Sequence, residues 1–318
     1  MLTYVVRRVL STVPVFFVAL FLVHVGVSST TDPLANQRLC LPRCQAGYDM
    51  LVEKYELDKS IWQRPFTWFS NAARGDLGFS EVLGDPVSTV LLERGGNTAI
   101  LAVPAFFLSA ILAVLLSVYS ARRQYSRGDY VLTGFSFIGL ALPTFFIGLF
   151  LQVFFGVWFQ GWTGLKPFYT SLKRDDSWLH LLQSATLPIL TLTIVSVAAD
   201  SRFGRASMLE VVNSDYIRTA RAKGLSERAV IWKHALRNAL IPLVTLWALG
   251  FAALLGGSVI TETVFAWPGL GPAFLAALSK PDLDLVMGIC IFAAAIAIVF
   301  NLIADILYGV LDPRIRLD

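Results

Sequence analysis

Six apolar runs divide this chain, at residues 9–27, 98–121, 130–159, 184–203, 239–260 and 285–311. Each is close to or above the ~20 residues a helix needs to cross the hydrocarbon of a bilayer. Hydrocarbon offers no water to a free peptide group, so a spanning segment has to satisfy its own backbone, and runs of this length do that as helices. The composition agrees: of 318 residues, 56% are hydrophobic and only 15% charged, with a mean hydropathy of +0.65, which excludes an ordinary soluble core. The first run is too long and too apolar for a removed signal peptide and has no small-x-small cleavage site, so it reads as an anchor. The expected fold is an all-α membrane protein of six transmembrane helices, with a small polar lobe between the first and second.

Orientation follows from the basic residues. Arg7 and Arg8 precede the first run, Arg122, Arg123 and Arg127 lie between the second and third, the stretch from Arg205 to Arg237 between the fourth and fifth, and Arg314 and Arg316 after the sixth. All fall on one side, which the positive-inside rule makes cytoplasmic; the opposite short loops carry only Lys166, Lys173, Arg174 and Lys280. Residues 28–97 also hold lysines and arginines, but loops that long cross largely regardless of charge. Both termini are expected inside, and the lobe outside.

The inner loop at 214–238, S-D-Y-I-R-T-A-R-A-K-G-L-S-E-R-A-V-I-W-K-H-A-L-R-N, has a shape of its own. Asn213 or Ser214 caps a first short helix that Lys223 and Gly224 end, and Ser226 with Glu227 opens a second. Tyr216, Ile217, Ala220, Val230, Ile231 and Leu236 recur at helical spacing, which leaves Arg218, Arg221, Lys223, Arg228, Lys233 and Arg237 on the wet side. Three readings fit: a solvated loop whose arginines fix topology, a helix-turn-helix that reads DNA, and a docking element for another protein. A DNA reader is disfavoured because both ends are tied into the membrane and no dimerisation module follows, so no nucleic acid partner is expected. A capped, glycine-broken helix pair favours docking, since a plain loop needs no shape.

The run Arg218, Thr219, Ala220, Arg221, Ala222, Lys223, Gly224, Leu225 resembles the cytoplasmic coupling loop of permease subunits in binding-protein-dependent ABC importers. D-Y-I-R-T-A-R-A-K-G-L is similar to the dipeptide and oligopeptide branch, in which Arg218 and Thr219 replace a more general Glu-Ala. The resemblance extends along the chain. It includes the amino end with Arg7 and Arg8, Y-E-L-D-K-S-I-W-Q-R-P-F-T-W-F at 55–69, R-G-D-L-G-F-S at 74–80 and G-L-A-L-P-T-F-F-I-G-L at 139–149. It continues through Arg202-x-x-Arg205-Ala206-Ser207 and E-T-V-F-A-W-P-G-L-G to the ending L-Y-G-V-L-D-P-R-I-R.

The lobe reads as an amphipathic helix with Ile61, Trp62, Phe66 and Phe69 on one side, followed by tight returns at Gly75 and Gly78. Cys40 and Cys44 lie in it, and an oxidising exterior with C-L-P-R-C spacing permits a small disulfide loop. No metal site is expected. His24, alone in the first run, reads as a packed residue. In the third run Pro143, in the Pro-x-Phe pattern with Phe145, supplies a bend, and Gly134, Ser136, Gly139 and Gly148 allow close helix contacts. Gly250, Gly256 and Gly257 do the same for the fifth. Asp200 is the candidate for a group lining a pathway, and Arg202 and Arg205 for inner anchors. Asn301 and Asp305 share a helical face, where an arginine from the inner end of the fourth run would suit them. After 262–272 a short apolar helix, too short to span, is expected on the outer face.

The resemblance implies a transport subunit in the bacterial cytoplasmic (inner) membrane that forms half of a pathway for short peptides. It implies as partners a second homologous permease subunit, two cytoplasmic ATPase subunits, an external substrate-binding protein and membrane lipid. No G-x-x-x-x-G-K-[ST] is present, so the chain carries no cofactor of its own, and ATP and Mg would be bound by the partner subunits. Residues 1–96 would hold the first helix and lobe, 97–312 the permease core with its coupling loop at 213–238, and 313–318 a cytoplasmic tail. Alternative cargoes in the same branch are nickel, glutathione or another small solute. A proton-driven secondary transporter is the rival mechanism, but no inverted repeat is apparent. An embedded enzyme would need a convergent catalytic set, which scattered His24, His180 and His234 do not supply.

Overall fold

A computed structural model describes the backbone of residues 2–30, 34, 42, 43, 45–165, 168, 169, 177–280 and 282–311, and the side chains of all these except 2–9, 11, 12, 30, 252, 253, 255–257 and 304–311. Cys40 and Cys44 lie outside the described residues, and so does the side chain of Asp305. Among the described residues, four helical stretches are long and apolar enough to cross a bilayer: Val87–Arg122, Thr144–Thr163, Trp178–Val212 and Leu283–Ile303. The first and fifth apolar runs are helical too, within Leu2–Thr30 and Leu236–Gly257. The chain forms two compact units: residues 97–268 with 296–318, and residues 2–96 with 269–295.

The larger unit begins in helix α4, which with its neighbours in chain order is defined by α1 (Leu2–Thr30), α2 (Gln45–Lys54), α3 (Arg64–Ala73) and α4 (Val87–Arg122). From residue 97 onward α4 is followed by α5 (Arg127–Ala141), α6 (Thr144–Val153) and, after a π-helical turn at Phe154–Phe159, α7 (Gln160–Thr163). The third apolar run is therefore two helices and not one. Pro143 bars the preceding Leu142 from helical geometry, and both residues are extended, with φ −85°, ψ 131° and φ −61°, ψ 143°. Pro104 and Pro188, by contrast, sit inside continuous helices.

Helix α8 (Trp178–Val212) is the spine of this unit. Ser136 Oγ lies 3.1 Å from Ser201 Oγ, and Ser117 Oγ donates to Ser201 O at 3.1 Å, so α5 and α4 both lie against it. Gly148 faces Phe265, Val264 and Thr191, and Gln152 Nε2 donates to Val264 O at 3.0 Å. Gly134 and Gly250 have open space around them, contrary to the expectation of close packing there. At Gly139 a Cβ would stand 2.6 Å from the Ala198 Cβ. Gly139→Ala is expected to push α5 off α8 and cost about 1–3 kcal/mol. Adding Ala198→Gly should restore most of the loss, read by thermal unfolding in detergent.

Beyond α8 come α9 (Asp215–Ala222), α10 (Glu227–Ala229), a π-helical turn at Val230–Ala235, α11 (Leu236–Gly257) and α12 (Val259–Val264). In the E-T-V-F-A-W-P-G stretch Glu262, Phe265, Trp267 and Gly269 are buried, whereas Thr263 and Ala266 are exposed. Glu262, fully buried, accepts from Thr98 Oγ1 at 2.7 Å and Ser258 Oγ at 2.6 Å. Trp267 Nε1 donates to Asn97 O at 2.9 Å, and Asn97 Nδ2 returns a bond to Pro268 O at 2.9 Å. Ala266 turns the chain there with φ +48°.

In the smaller unit, α13 (Leu270–Ser279) is the expected short apolar helix, and its Leu270, Ala273 and Ala277 pack with Val87, Val90 and Leu285. Asp282 ties a hairpin of β1 (Phe79–Ser80) and β2 (Asp85–Pro86) to the start of α14 (Leu283–Leu311). It accepts from Ser80 Oγ at 2.7 Å, Val82 N at 3.1 Å and Leu285 N at 3.0 Å. Gly75 and Gly78 take φ +89° and +85° as the tight returns require. Helix α3 buries Pro65 and Trp68, and Trp68 packs with Leu20 and Met287. Trp62 and Phe66 rest against the Phe21 ring and Phe69 against Phe17, the shared side expected of them, although Trp62 and Phe66 stay largely exposed and Ile61 and Trp62 precede the helix.

Candidate functional site

The basic hairpin begins where Ser214 breaks from α8. Its hydroxyl donates back to Val211 O at 2.6 Å instead of capping α9. Asp215 stands in the first turn, favourable to the helix dipole, and Arg218 reaches it at 3.4 Å. Helix α9 ends in a Schellman motif: Leu225 N donates to Ala220 O at 3.4 Å, Gly224 N to Arg221 O at 2.9 Å, and Gly224 takes φ +77°. Ser226 Oγ then accepts from Ala229 N at 3.4 Å, which caps α10. Across the turn Arg221 Nε donates to Glu227 Oε1 at 2.7 Å.

The second arm continues as the π-helical turn, which rotates the following residues beyond ordinary helical phase. Asn238 Nδ2 donates to Tyr216 Oη at 2.7 Å and links the two arms. Underneath, Ile217, Val230, Ala235 and Ala239 have no exposed surface and Ile231 almost none. They pack with Ala220, Val118 and Ala121 of α4 and Met208 of α8. Ser207 Oγ donates to Ala239 O at 2.9 Å, a further tie between α8 and α11. The hairpin is thus a firm knob on the ends of three long helices.

Its outer face holds Arg218, Thr219, Arg221, Ala222, Lys223, Gly224, Leu225, Arg228, Lys233 and Arg237, all exposed. Among them stand three large exposed side chains: Tyr216 at 44%, Leu225 at 42% and Trp232 at 42%. Tyr216 was expected on the apolar face. Ile217 and Ala220 define that stripe, and position 216 lies about 100° around the helix from 217. Trp232 was not anticipated as a surface residue, although a tryptophan in a basic loop is the signature of an anchor. The face carries no nucleophile or paired acid and base. Large aromatics ringed by arginines are what a protein groove receives.

Just inside the knob, Arg205 holds Asp129 with two parallel bonds, Nε to Oδ1 and Nη2 to Oδ2, each 2.8 Å. Asp129 Oδ2 also accepts from Tyr125 N at 3.0 Å. The Arg205 hydrogen bonds hold the Asp129 carboxyl down at about 2. Arg205 is therefore more than a topology anchor, since it is paired with Asp129; the expected partnering of Asn301 and Asp305 falls on a side chain outside the described residues. Arg202 lies over the Phe137 ring, 4.7 Å from its centroid.

Among the described residues, no hydrogen bond links the candidate pathway residues Pro143, Phe145, Asp200 and Asn301 to one another. Asp200 is half-buried and accepts from Trp247 Nε1 of α11 at 3.0 Å. Pro143 starts α6, Phe145 is 46% exposed, and Asn301 is half-buried on α14. Among the described residues no three His, Cys, Asp or Glu side chains come together to hold a metal ion.

A family model described as binding-protein-dependent transport system inner membrane component matches residues 113–317. The oligopeptide transport system permease protein AppB of Bacillus subtilis is 37% identical, over 99% of this chain and 100% of its own length. The oligopeptide transport system permease protein OppB of Mycobacterium bovis is 36% identical, over 99% of each chain. A solved structure of the MetNI methionine ABC transporter in an inward-facing conformation shares the fold, with a TM-score of 0.53 at 16% identity, over 71% of this chain and 97% of that one. This multi-pass membrane chain belongs to the family of binding-protein-dependent transport system inner membrane components.

Proposed function

We propose that this chain is the permease subunit of an ATP-driven importer of short peptides, and that the hairpin at 213–238 is where it receives work from a pair of cytoplasmic ATPases. The observation that carries the reading is the knob: a basic, aromatic-bearing hairpin seated by buried side chains on α4, α8 and α11. The similarity to oligopeptide permeases supports the cargo. A second, homologous permease supplies the other half of the pathway, and an external binding protein delivers the peptide. Residues 97–312 serve as the permease core, 1–96 as the first helix and outer lobe, and 313–318 as a tail on the cytoplasmic side with the amino terminus. This subunit hydrolyses nothing, and ATP and Mg stay on its partners.

In this reading, Tyr216, Leu225 and Trp232 enter an ATPase groove while the arginines sit at its rim. Closure of the ATPases displaces the knob. The buried packing passes that displacement to α8 and α11, tilting them between inward-open and outward-open arrangements. ATP shifts the balance only because the groove contacts the knob differently in the two states.

The test is co-purification of the detergent-solubilised chain with the ATPases encoded by its genomic neighbours. Gly224→Pro forbids the +77° torsion. Arg221→Glu repels Glu227, its 2.7 Å partner, and reverses charge on the docking face. Each variant is expected to lower ATPase recovery by about tenfold, corresponding to ~1.4 kcal/mol of interface energy. Retention of the ATPases by both, with normal peptide uptake, would overturn the assignment of this hairpin.

A further inference from the structure

The smaller unit contains a cavity of about 570 Å³, within the range that holds small ligands. Its wall is polar and charged. Glu53, Glu56, Asp76 and Asp284 supply four carboxylates against two cations, Lys54 and Arg64. The cations are largely committed. Lys54 Nζ stands 3.1 Å from Glu81 and 3.5 Å from Asp284, and Arg64 donates to the carbonyls of Lys59 and Leu57, each at 3.1 Å. The cavity therefore favours a positively charged occupant.

One buried group in the wall is left wanting. Trp68 is nine-tenths buried, and its indole N–H has no acceptor among the described residues. A buried donor left empty is costly, so such a group calls for a partner. Glu56 Oε1 accepts from Lys59 at 2.7 Å, and the Thr67 hydroxyl also hydrogen-bonds its carboxylate. Lys59, and then Thr67, lower the Glu56 carboxyl below its usual range, so it is ionised. Glu56 itself is held at φ +49°, a strained setting for a residue with a side chain, and such strain gathers at functional sites. Gly78 has no side chain because the Asp284 carboxylate occupies that space.

An unfilled buried donor beside an ionised carboxylate, in a wall with an excess of carboxylates, describes the complement of one common group. The geometry points to a binding site for the α-ammonium end of a short peptide, with the ammonium on Glu56 and the adjoining carbonyl accepting from Trp68 Nε1–H. The inference rests on the peptide reading above for its choice of ligand. It places a cargo contact in the smaller unit.

Isothermal titration of the complete permease–ATPase complex in lipid nanodiscs, without binding protein, tests it with trialanine, N-acetyl-trialanine, trialanine amide and free alanine. Trialanine and its amide should bind within about twofold of each other, and acetylation should weaken binding at least about tenfold, the loss of one charge-assisted bond. Trp68→Phe and Glu56→Gln should each weaken trialanine by about tenfold while leaving the unfolding temperature near wild type. Free alanine binding as well as trialanine would make this an amino-acid site and not a cargo site. Equal binding of the acetylated peptide, or no binding by any of the four, overturns the proposal. Binding-protein-dependent uptake into vesicles is measured in parallel. Uptake without the ammonium preference sinks this inference alone, and absence of any peptide uptake sinks the importer reading.

Discussion

Arg205→Ala is expected to destabilise the protein by about 3–5 kcal/mol, the cost of leaving a buried carboxylate without its counter-charge. Asp129 is 3% exposed and Arg205 28% at the side chain, and their two 2.8 Å bonds are the strongest polar link between α5 and α8 among the described residues. Arg205→Lys keeps the charge and loses the fork, so it should fall between wild type and alanine. The pH dependence has a definite sign. Asp129 titrates at about 2 when folded against ~3.9 when unfolded, so the pair stabilises fully above pH ~4 and fades as pH falls toward 2. In Arg205→Ala that acid loss should shrink, because the bonds that hold the Asp129 carboxyl down most strongly are gone. Thermal unfolding in detergent at pH 7, pH ~4 and pH ~2.5 checks both statements. Indistinguishable unfolding temperatures for alanine and wild type at pH 7 would refute the first.

Glu262→Ala should cost about 3 kcal/mol, combining a small cavity with loss of the acceptor for two buried hydroxyls. Thr98 and Ser258 are 0% and 2% exposed, and both donate to Oε1 of Glu262. Because Trp267 and Asn97 close the same junction, the damage should spread to the turn at Ala266. Glu262→Gln retains an acceptor of the same length and should stay within about 1 kcal/mol of wild type. Yield of folded protein after detergent extraction, with tryptophan emission as a report on Trp267, distinguishes the two variants.

How much of this was readable in advance depends on how far apart the interacting residues lie. The spans are written as long apolar runs, and the hairpin as local signals: a glycine stop, a serine cap, and a stripe through Ile217 and Ala220. The Asp129–Arg205 pair spans 76 positions and the Thr98–Glu262 bond 164, and no periodicity in either segment points to the other. Length misled at the third run, where thirty apolar residues outweighed the signal of Leu142-Pro143. The π-helical turns left no mark either, since a shift of one backbone bond needs no particular residue. Trp232 was missed for that reason: the turn at Val230–Ala235 changes which side of the arm its residues face.

The break at Leu142 and Pro143 has a consequence for solvation. An unbroken apolar helix can turn about its axis in lipid at little cost, because no peptide group is bare on any side. Here Leu142 N still reaches Ile138 O at 3.0 Å, and Phe146 N and Ile147 N reach Pro143 O at 2.9 and 3.3 Å. The amides of Thr144 and Phe145 open α6 ahead of its first internal bonds, as the leading amides of any helix do. In hydrocarbon each bare amide costs several kcal/mol, so that arc of the helix is barred from the acyl chains and must border water or protein. One proline thereby sets which side of this membrane segment is closed to lipid.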